Sequence, residues 1–164
     1  MPKTLKNNRR KSSSLAKSFV SNKSSSPKSI SSGSSMKSFE KDITVMFLEM
    51  LMMIKLFHWK TTSYATHKAT DDLYTKLNAN MDSFIEILLG KTGSRIDLMS
   101  NKSIKLMDLS SQESLKSEIE SFKSYLVNLN DNKAMKQMRN TDLFNIRDTI
   151  LGDLNQFLYL LTFK

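Results

Sequence analysis

The chain has 164 residues, no cysteine and a formal net charge of +9 at pH 7. This length accommodates one domain of ordinary size with a segment to spare. Without cysteine, disulfides, thiolate catalysis and cysteine-ligated zinc or iron–sulfur sites are excluded. No apolar run is long enough to span a bilayer, and no apolar stretch typical of a secretory signal follows the basic start. We therefore expect a soluble protein of the intracellular type.

The positive charge is confined to the N-terminal segment. Residues 1–38 contain seven lysines, two arginines and no acidic residue, whereas residues 39–164 contain sixteen basic and sixteen acidic residues. The first segment also contains fourteen serines and few apolar residues, so folding it would bury too little surface to offset the entropy of ordering it. The sequence predicts a disordered cationic tail over 1–38 and one folded domain over 39–164.

The folded domain has apolar residues at helical spacing and no strand pattern. It predicts an all-α, four-helix bundle, with a short extra helix around 96–106 between the second and third helices. Capping residues suggest where the helices begin and end. The first would run from about Phe39 to Trp59 after an N-cap at Ser38, the second from Thr66 to Leu89 with a stop at Gly90, the third from a capping box at 110–113, and the fourth from near Asn140.

Both histidines of the chain, His58 and His67, lie where the first two helices meet. On the second helix Asp71 lies four residues after His67, so the two share a face. Asp82 and Glu86 are also four residues apart, and this second pair lies about 60° around the helix from His67 and about 22 Å along it. One ion cannot bridge that distance, although the side chains face roughly the same way.

A two-fold axis would remove this difficulty. Two antiparallel copies of the second helix would bring His67 of one chain opposite Asp82 and Glu86 of the other. His58 would approach the same site, giving two imidazoles and two carboxylates, a set that suits iron or zinc. Asp71 would be either a further ligand or the acceptor that orients His67. The competing interpretation is that both histidines are structural, which is the usual role of a single helical histidine.

The segment KLFHWKTTSYATHKATDDLYTKLNANMDSFIEILLGK, residues 55–91, resembles the Dps family, the miniferritins of the ferritin-like superfamily. The likeness rests on the His-Trp pair at 58–59, the histidine and aspartate at 67 and 71, and the Asp-x-x-x-Glu pair at 82–86. The final segment DTILGDLNQFLYLLTFK resembles the last helix of that family. One departure is the link between the two histidines, which is shorter than is usual there.

The resemblance implies a ferritin-like fold and a ferroxidase site shared by two subunits. His58 and His67 would come from one subunit, Asp82 and Glu86 from the other, and Trp59 would be a redox neighbour. Iron would be the substrate, at a di-iron or mono-iron site at the interface, with zinc as an alternative ion and peroxide or dioxygen as the oxidant. A homo-oligomer, from a two-fold dimer to a dodecameric shell, would store the ferric product.

The cations of the tail predict non-specific binding to DNA phosphates, which would protect DNA from iron-driven oxidative damage. Such a protein would be cytoplasmic or associated with a nucleoid or chromatin, and it would have no membrane partner. The alternative is a non-enzymatic protein that packages nucleic acid or builds a virion on a ferritin-like scaffold. The residues assigned to DNA are Lys3, Lys6, Arg9, Arg10, Lys11, Lys17, Lys23, Lys28 and Lys37.

Overall fold

The computed structural model describes residues 32–99 and 103–163, with side chains from Met36 onward. These residues form helices and no strand. The elements are α1 (Ser32–Lys60), α2 (Tyr64–Thr92), α3 (Gln112–Asn128), a 3₁₀ turn (Leu129–Asp131), α4 (Lys133–Lys136) and α5 (Thr141–Leu160). Most of the predicted disordered tail, residues 1–31, lies outside the described residues.

Four long helices close into a bundle, as predicted. The three-residue link 61–63 makes α1 and α2 antiparallel neighbours, and α2 also packs against α5. Helix α3 packs against α5 and meets α1 through Phe47 and Phe122, whose ring centroids are 6.2 Å apart. The fully buried residues of the interior come from all four helices: Ile43, Met53, Ile54, Leu77, Phe84, Leu88, Leu115, Ile119, Leu126, Leu143, Ile150 and Leu154.

A long crossover connects α2 to α3, and its described residues, 93–99 and 103–111, lie along α1. Ser94 Oγ donates to Glu40 Oε1 at 2.8 Å, near the start of α1. Lys105 N donates to Glu49 Oε1 at 3.1 Å in the middle of α1. Asp108 pairs with Lys60 at the end of α1. Because the chain returns to the far end of the bundle before α3 begins, α3 runs in the same direction as α2.

The predicted extra helix around 96–106 is wrong for the described residues of the crossover, 94–99 and 103–110, which contain no helix. The crossover is held along α1 instead, by contacts at Glu40, Glu49 and Lys60. Half-buried Met107 and Leu109 alternate with exposed neighbours, as extended chain on a surface requires.

Two predicted helix ends were also wrong. Ser38 lies inside α1, where its hydroxyl donates to Asp42 Oδ2 at 3.2 Å. Gly90 lies inside α2, which ends at Gly93 with φ 66° and an amide that donates to Leu89 O. The fourth long helix begins as predicted, at Asn140. The third begins one residue later than the predicted capping box at 110–113, with Ser111 as the N-cap and Ser114 as its partner. None of the helices in the described ranges is long and apolar enough to cross a membrane.

Candidate functional site

The two histidines meet where α1 turns into α2. His58 lies in the last turn of α1, and His67 lies in the first turn of α2. The link 61–63 is so short that the two rings stack, with centroids 3.9 Å apart and planes 24° from parallel. Ser63 caps α2 by accepting a hydrogen bond from Thr66 N at 3.3 Å, which fixes the direction in which α2 leaves the link.

Each imidazole is held by the main chain of the other histidine. The Nδ1 atom of His58 lies 3.0 Å from His67 O, and the Nδ1 atom of His67 lies 3.1 Å from His58 O. A carbonyl oxygen only accepts hydrogen bonds, so both Nδ1 atoms carry a proton. In the neutral imidazole that leaves the lone pair on Nε2. The reciprocal pair therefore fixes the same tautomer in both rings.

The side chain of Thr70 adds further hydrogen bonds to this arrangement. It is fully buried, and its hydroxyl donates to Thr66 O at 2.8 Å and to His67 O at 3.0 Å. Because its proton is used in this way, the Thr70 oxygen accepts from His58 Nδ1, at 3.2 Å. The Thr70 hydroxyl and the His67 carbonyl thus share the proton of one imidazole.

The Nε2 atoms are the ring nitrogens left for a ligand. In the described ranges neither one makes a hydrogen bond, and no buried side-chain nitrogen or oxygen there lacks a partner. Both Nε2 atoms are therefore reached by solvent, although His58 is only 7% exposed. The nearest carboxylate oxygen is Asp71 Oδ1, 3.9 Å from His58 Nε2. Asp71 approaches His58, and the acceptor that orients His67 is the carbonyl of His58.

The rim of the site is formed by Lys55 and two aromatic rings. Lys55 Nζ lies 4.0 Å from Asp71 Oδ1, 4.6 Å from the ring centroid of Tyr74 and 5.9 Å from that of Trp59. Trp59 is 68% exposed, so this predicted redox neighbour lies on the surface of the protein. Trp59 and Lys55 share one face of α1, beside the face of α2 that carries Asp71.

The structure places Asp82 and Glu86 away from the histidines. Both are exposed, farther along α2, and Asp82 lines a shallow apolar groove of about 220 Å³ between α1 and α2 together with Leu48, Leu51 and Ile85. In the part of the chain described, no group of three or more His, Asp or Glu residues could hold a metal ion. A single chain thus brings together His58, His67 and, at a longer distance, Asp71.

Two residues of the site were missed in the sequence. Lys55 lies three residues before His58, and Thr70 lies three residues after His67, so helical spacing places each on the face of a histidine. That spacing could have found both. The exchange of hydrogen bonds between the two main chains could not have been found, since it depends on the angle at which α2 leaves the link.

Of the cations assigned to DNA, eight lie among residues 1–31, outside the described ranges. The ninth, Lys37, is exposed in the first part of α1. There it lines a polar cavity of about 790 Å³ with Lys41 and Arg95, next to Glu40 and Asp97. The folded body therefore continues the cationic segment for only a short distance.

The fold and the site define an all-helical bundle protein in which two stacked histidines lie where the first two helices meet. Residues 58–161 match a family of unknown function (DUF5856), and the chain belongs to this family. The match begins at His58 and includes every residue of the site except Lys55. No curated protein matches the chain, and no solved structure does.

Proposed function

We propose that this protein is a Dps-type miniferritin that binds and oxidises Fe(II) at sites shared by two subunits, and that its basic tail holds it on DNA. The observation that carries the proposal is the reciprocal pairing of His58 and His67. Histidines that bind metal through Nε2 typically donate Nδ1–H to a carbonyl or carboxylate. Two adjacent rings with this arrangement and solvent-accessible Nε2 atoms are suited to a metal ion.

The connectivity of the bundle supports the same proposal. Two antiparallel helices, one long crossover and a second antiparallel pair form the pattern of ferritin-like folds, which have one such crossover, whereas up-down-up-down bundles have none. Helix α2 is central to this arrangement because it packs against both α1 and α5. Its outer face carries His67, Asp71 and Asp82 and is open to a second copy.

The donor set fits iron as a substrate only when two chains contribute. One chain offers two imidazoles and Asp71, and Asp82 and Glu86 are exposed where a partner's α2 would reach them. In the proposed dimer each site has mixed nitrogen and oxygen ligands, which suit iron. The groove beside Asp82, lined by Leu48, Leu51 and Ile85, supplies apolar surface that such an interface would bury.

The protein residues would then act as follows. His58 and His67 hold the ion through Nε2 because their Nδ1 protons are committed to carbonyls, and the carboxylates balance its charge. Two Fe(II) ions give one electron each to a peroxide, which takes up two protons and leaves as two water molecules. Trp59, at the rim, is placed to supply an electron if the oxidant takes one from the protein.

The test is anaerobic addition of Fe(II) followed by peroxide, with ferric absorbance as the measurement. The variant Asp82→Ala/Glu86→Ala should lose the fast oxidation, while the control Glu120→Ala/Asp131→Ala removes two exposed carboxylates outside α2 and should retain it. An unchanged rate in the first variant would refute the site. DNA binding that persists without oxidation would favour the packaging alternative.

A further inference from the structure

Among the described residues, Lys55 is the lysine that lies within ion-pair distance of Asp71, the acidic residue of the histidine site. It lies three residues before His58 on α1, and its side chain is 28% exposed. Its Nζ atom is 4.0 Å from Asp71 Oδ1, the same oxygen that lies 3.9 Å from His58 Nε2. The ammonium group and the imidazole therefore approach one carboxylate oxygen from two helices.

Two aromatic rings complete the surroundings of the ammonium group. Its Nζ atom lies 4.6 Å from the centroid of Tyr74 and 5.9 Å from that of Trp59, distances at which a cation is attracted to the face of a ring. Tyr74 lies one turn after Asp71 on α2, and Trp59 lies one turn after Lys55 on α1. If Lys55 leaves Asp71, it thus keeps favourable contacts nearby.

We propose that Lys55 is a positioning residue that competes with a divalent metal ion for Asp71 and so sets the affinity of the site. This inference rests on the proposed function. A divalent ion held by Asp71 and His58 would lie beside the ammonium group, and like charges at that distance repel. The ion binds when Lys55 withdraws toward Tyr74 and Trp59, and Lys55 returns to neutralise Asp71 when the ion leaves.

A purely structural role predicts something different. Asp71 has a side chain that is 49% exposed, and ion pairs of this kind contribute little to stability. If stability were the only role of Lys55, removing its charge would leave metal affinity unchanged. The affinity of the site is therefore the measurement that separates the two roles.

The experiment is calorimetric titration of the full chain with Zn(II), which is redox-inert and accepts imidazole and carboxylate ligands. The chain has two histidines and no cysteine, so few other sites compete. Lys55→Met, which keeps the length of the side chain but not its charge, should bind Zn(II) roughly tenfold more tightly. Lys55→Arg keeps the charge and should bind as the wild type does. Thermal unfolding shows whether each variant is folded. If Lys55→Met is not folded, Lys55→Gln replaces it in the titration.

The outcomes separate this inference from the proposed function. Equal or weaker binding by Lys55→Met, with oxidation that still depends on Asp82 and Glu86, overturns the role of Lys55 alone. Tighter binding by Lys55→Met in a protein that does not oxidise Fe(II) supports the role of Lys55 and overturns the ferroxidase. Zn(II) binding by Lys55→Met but not by the wild type also supports the role of Lys55. Failure of both proteins to bind overturns both proposals.

Discussion

The Thr70 hydroxyl hydrogen-bonds to both histidines, since it accepts from His58 Nδ1 and donates to His67 O. Thr70→Val keeps the shape of the side chain but leaves His58 Nδ1 with one acceptor in place of two. We expect this variant to be less stable by about 1 kcal/mol, as measured by urea denaturation. Thr75→Val is the matched control, because Thr75 is exposed and its hydroxyl also donates to the carbonyl four residues earlier, Asp71 O, at 3.0 Å. Equal losses in the two variants would contradict a special role for Thr70.

Tyr125 makes stability depend on pH at the alkaline end. Burial, with a smaller effect of Asp42, raises the pKa of its phenol to about 12, whereas an unfolded chain has a tyrosine pKa of about 10. The folded state thus holds the proton more tightly. The resulting stability is complete below pH 10 and is lost as pH rises through 12.

Tyr125→Phe cannot ionise and isolates this effect. Urea denaturation between pH 8 and 12 should give wild-type stability that falls more steeply above pH 10 than that of the variant. Near neutral pH the two should differ little, because the phenol oxygen makes no hydrogen bond within the described residues. Parallel curves for the two proteins would show that the phenol is as acidic in the folded protein as in the unfolded one.

The individual site residues were predictable to different degrees. The spacing of His67, Asp71 and Asp82 fixed their common face, and the structure keeps them on it. Spacing could not show that His58 would stack on His67, because two residues on different helices have no fixed distance until the link between the helices is known. Asp71 illustrates the limit: both of its proposed roles were compatible with the sequence, and the structure brings it to His58.

Among the elements, the end of α2 gives a direct test. Gly93 has φ 66°, a region that other residues occupy at a cost, so Gly93→Ala should destabilise the protein by about 1 kcal/mol. Gly90 lies inside the helix, and a Cβ added there meets nothing within 4 Å. Gly90→Ala should therefore stabilise by about 0.5–1 kcal/mol. Thermal unfolding should move in opposite directions for the two variants, and a stabilising Gly93→Ala would place the helix end elsewhere.

Helix ends were less predictable than helices for a physical reason. Gly90 and Gly93 are equivalent as sequence signals, and the choice between them is made by how far α2 packs along α1 and α5. The predicted extra helix around 96–106 shows the same limit. The described residues of the crossover contain no helix, and they contact α1 through Ser94 and Asp108, whose partners are distant in the sequence. Local spacing carries no information on such contacts.

For the whole molecule, the segregation of charge predicts a strong dependence of DNA binding on salt. Deletion of residues 1–31 removes eight of the nine tail cations and keeps every described residue of α1, Ser32–Lys60. If all nine cations contact phosphates, the affinity of the full chain should fall with salt at a log–log slope of about −8. The shortened chain should show a slope near −1. Equal affinity and slope for both proteins would assign DNA binding to the folded body.

The reciprocal histidine bonds have a consequence for changes in chain length. Each ring donates to a main-chain carbonyl, so a substitution can remove the Thr70 hydroxyl but neither of the two carbonyls. An insertion is different, because one extra residue in the link 61–63 would add up to about 3.3 Å of chain between the two helices. Each Nδ1 atom would then lose its fixed distance to the opposite carbonyl, although every side chain of the site was still present. The spacing of the turn, rather than any one polar contact, is thus the part of the site least able to tolerate change.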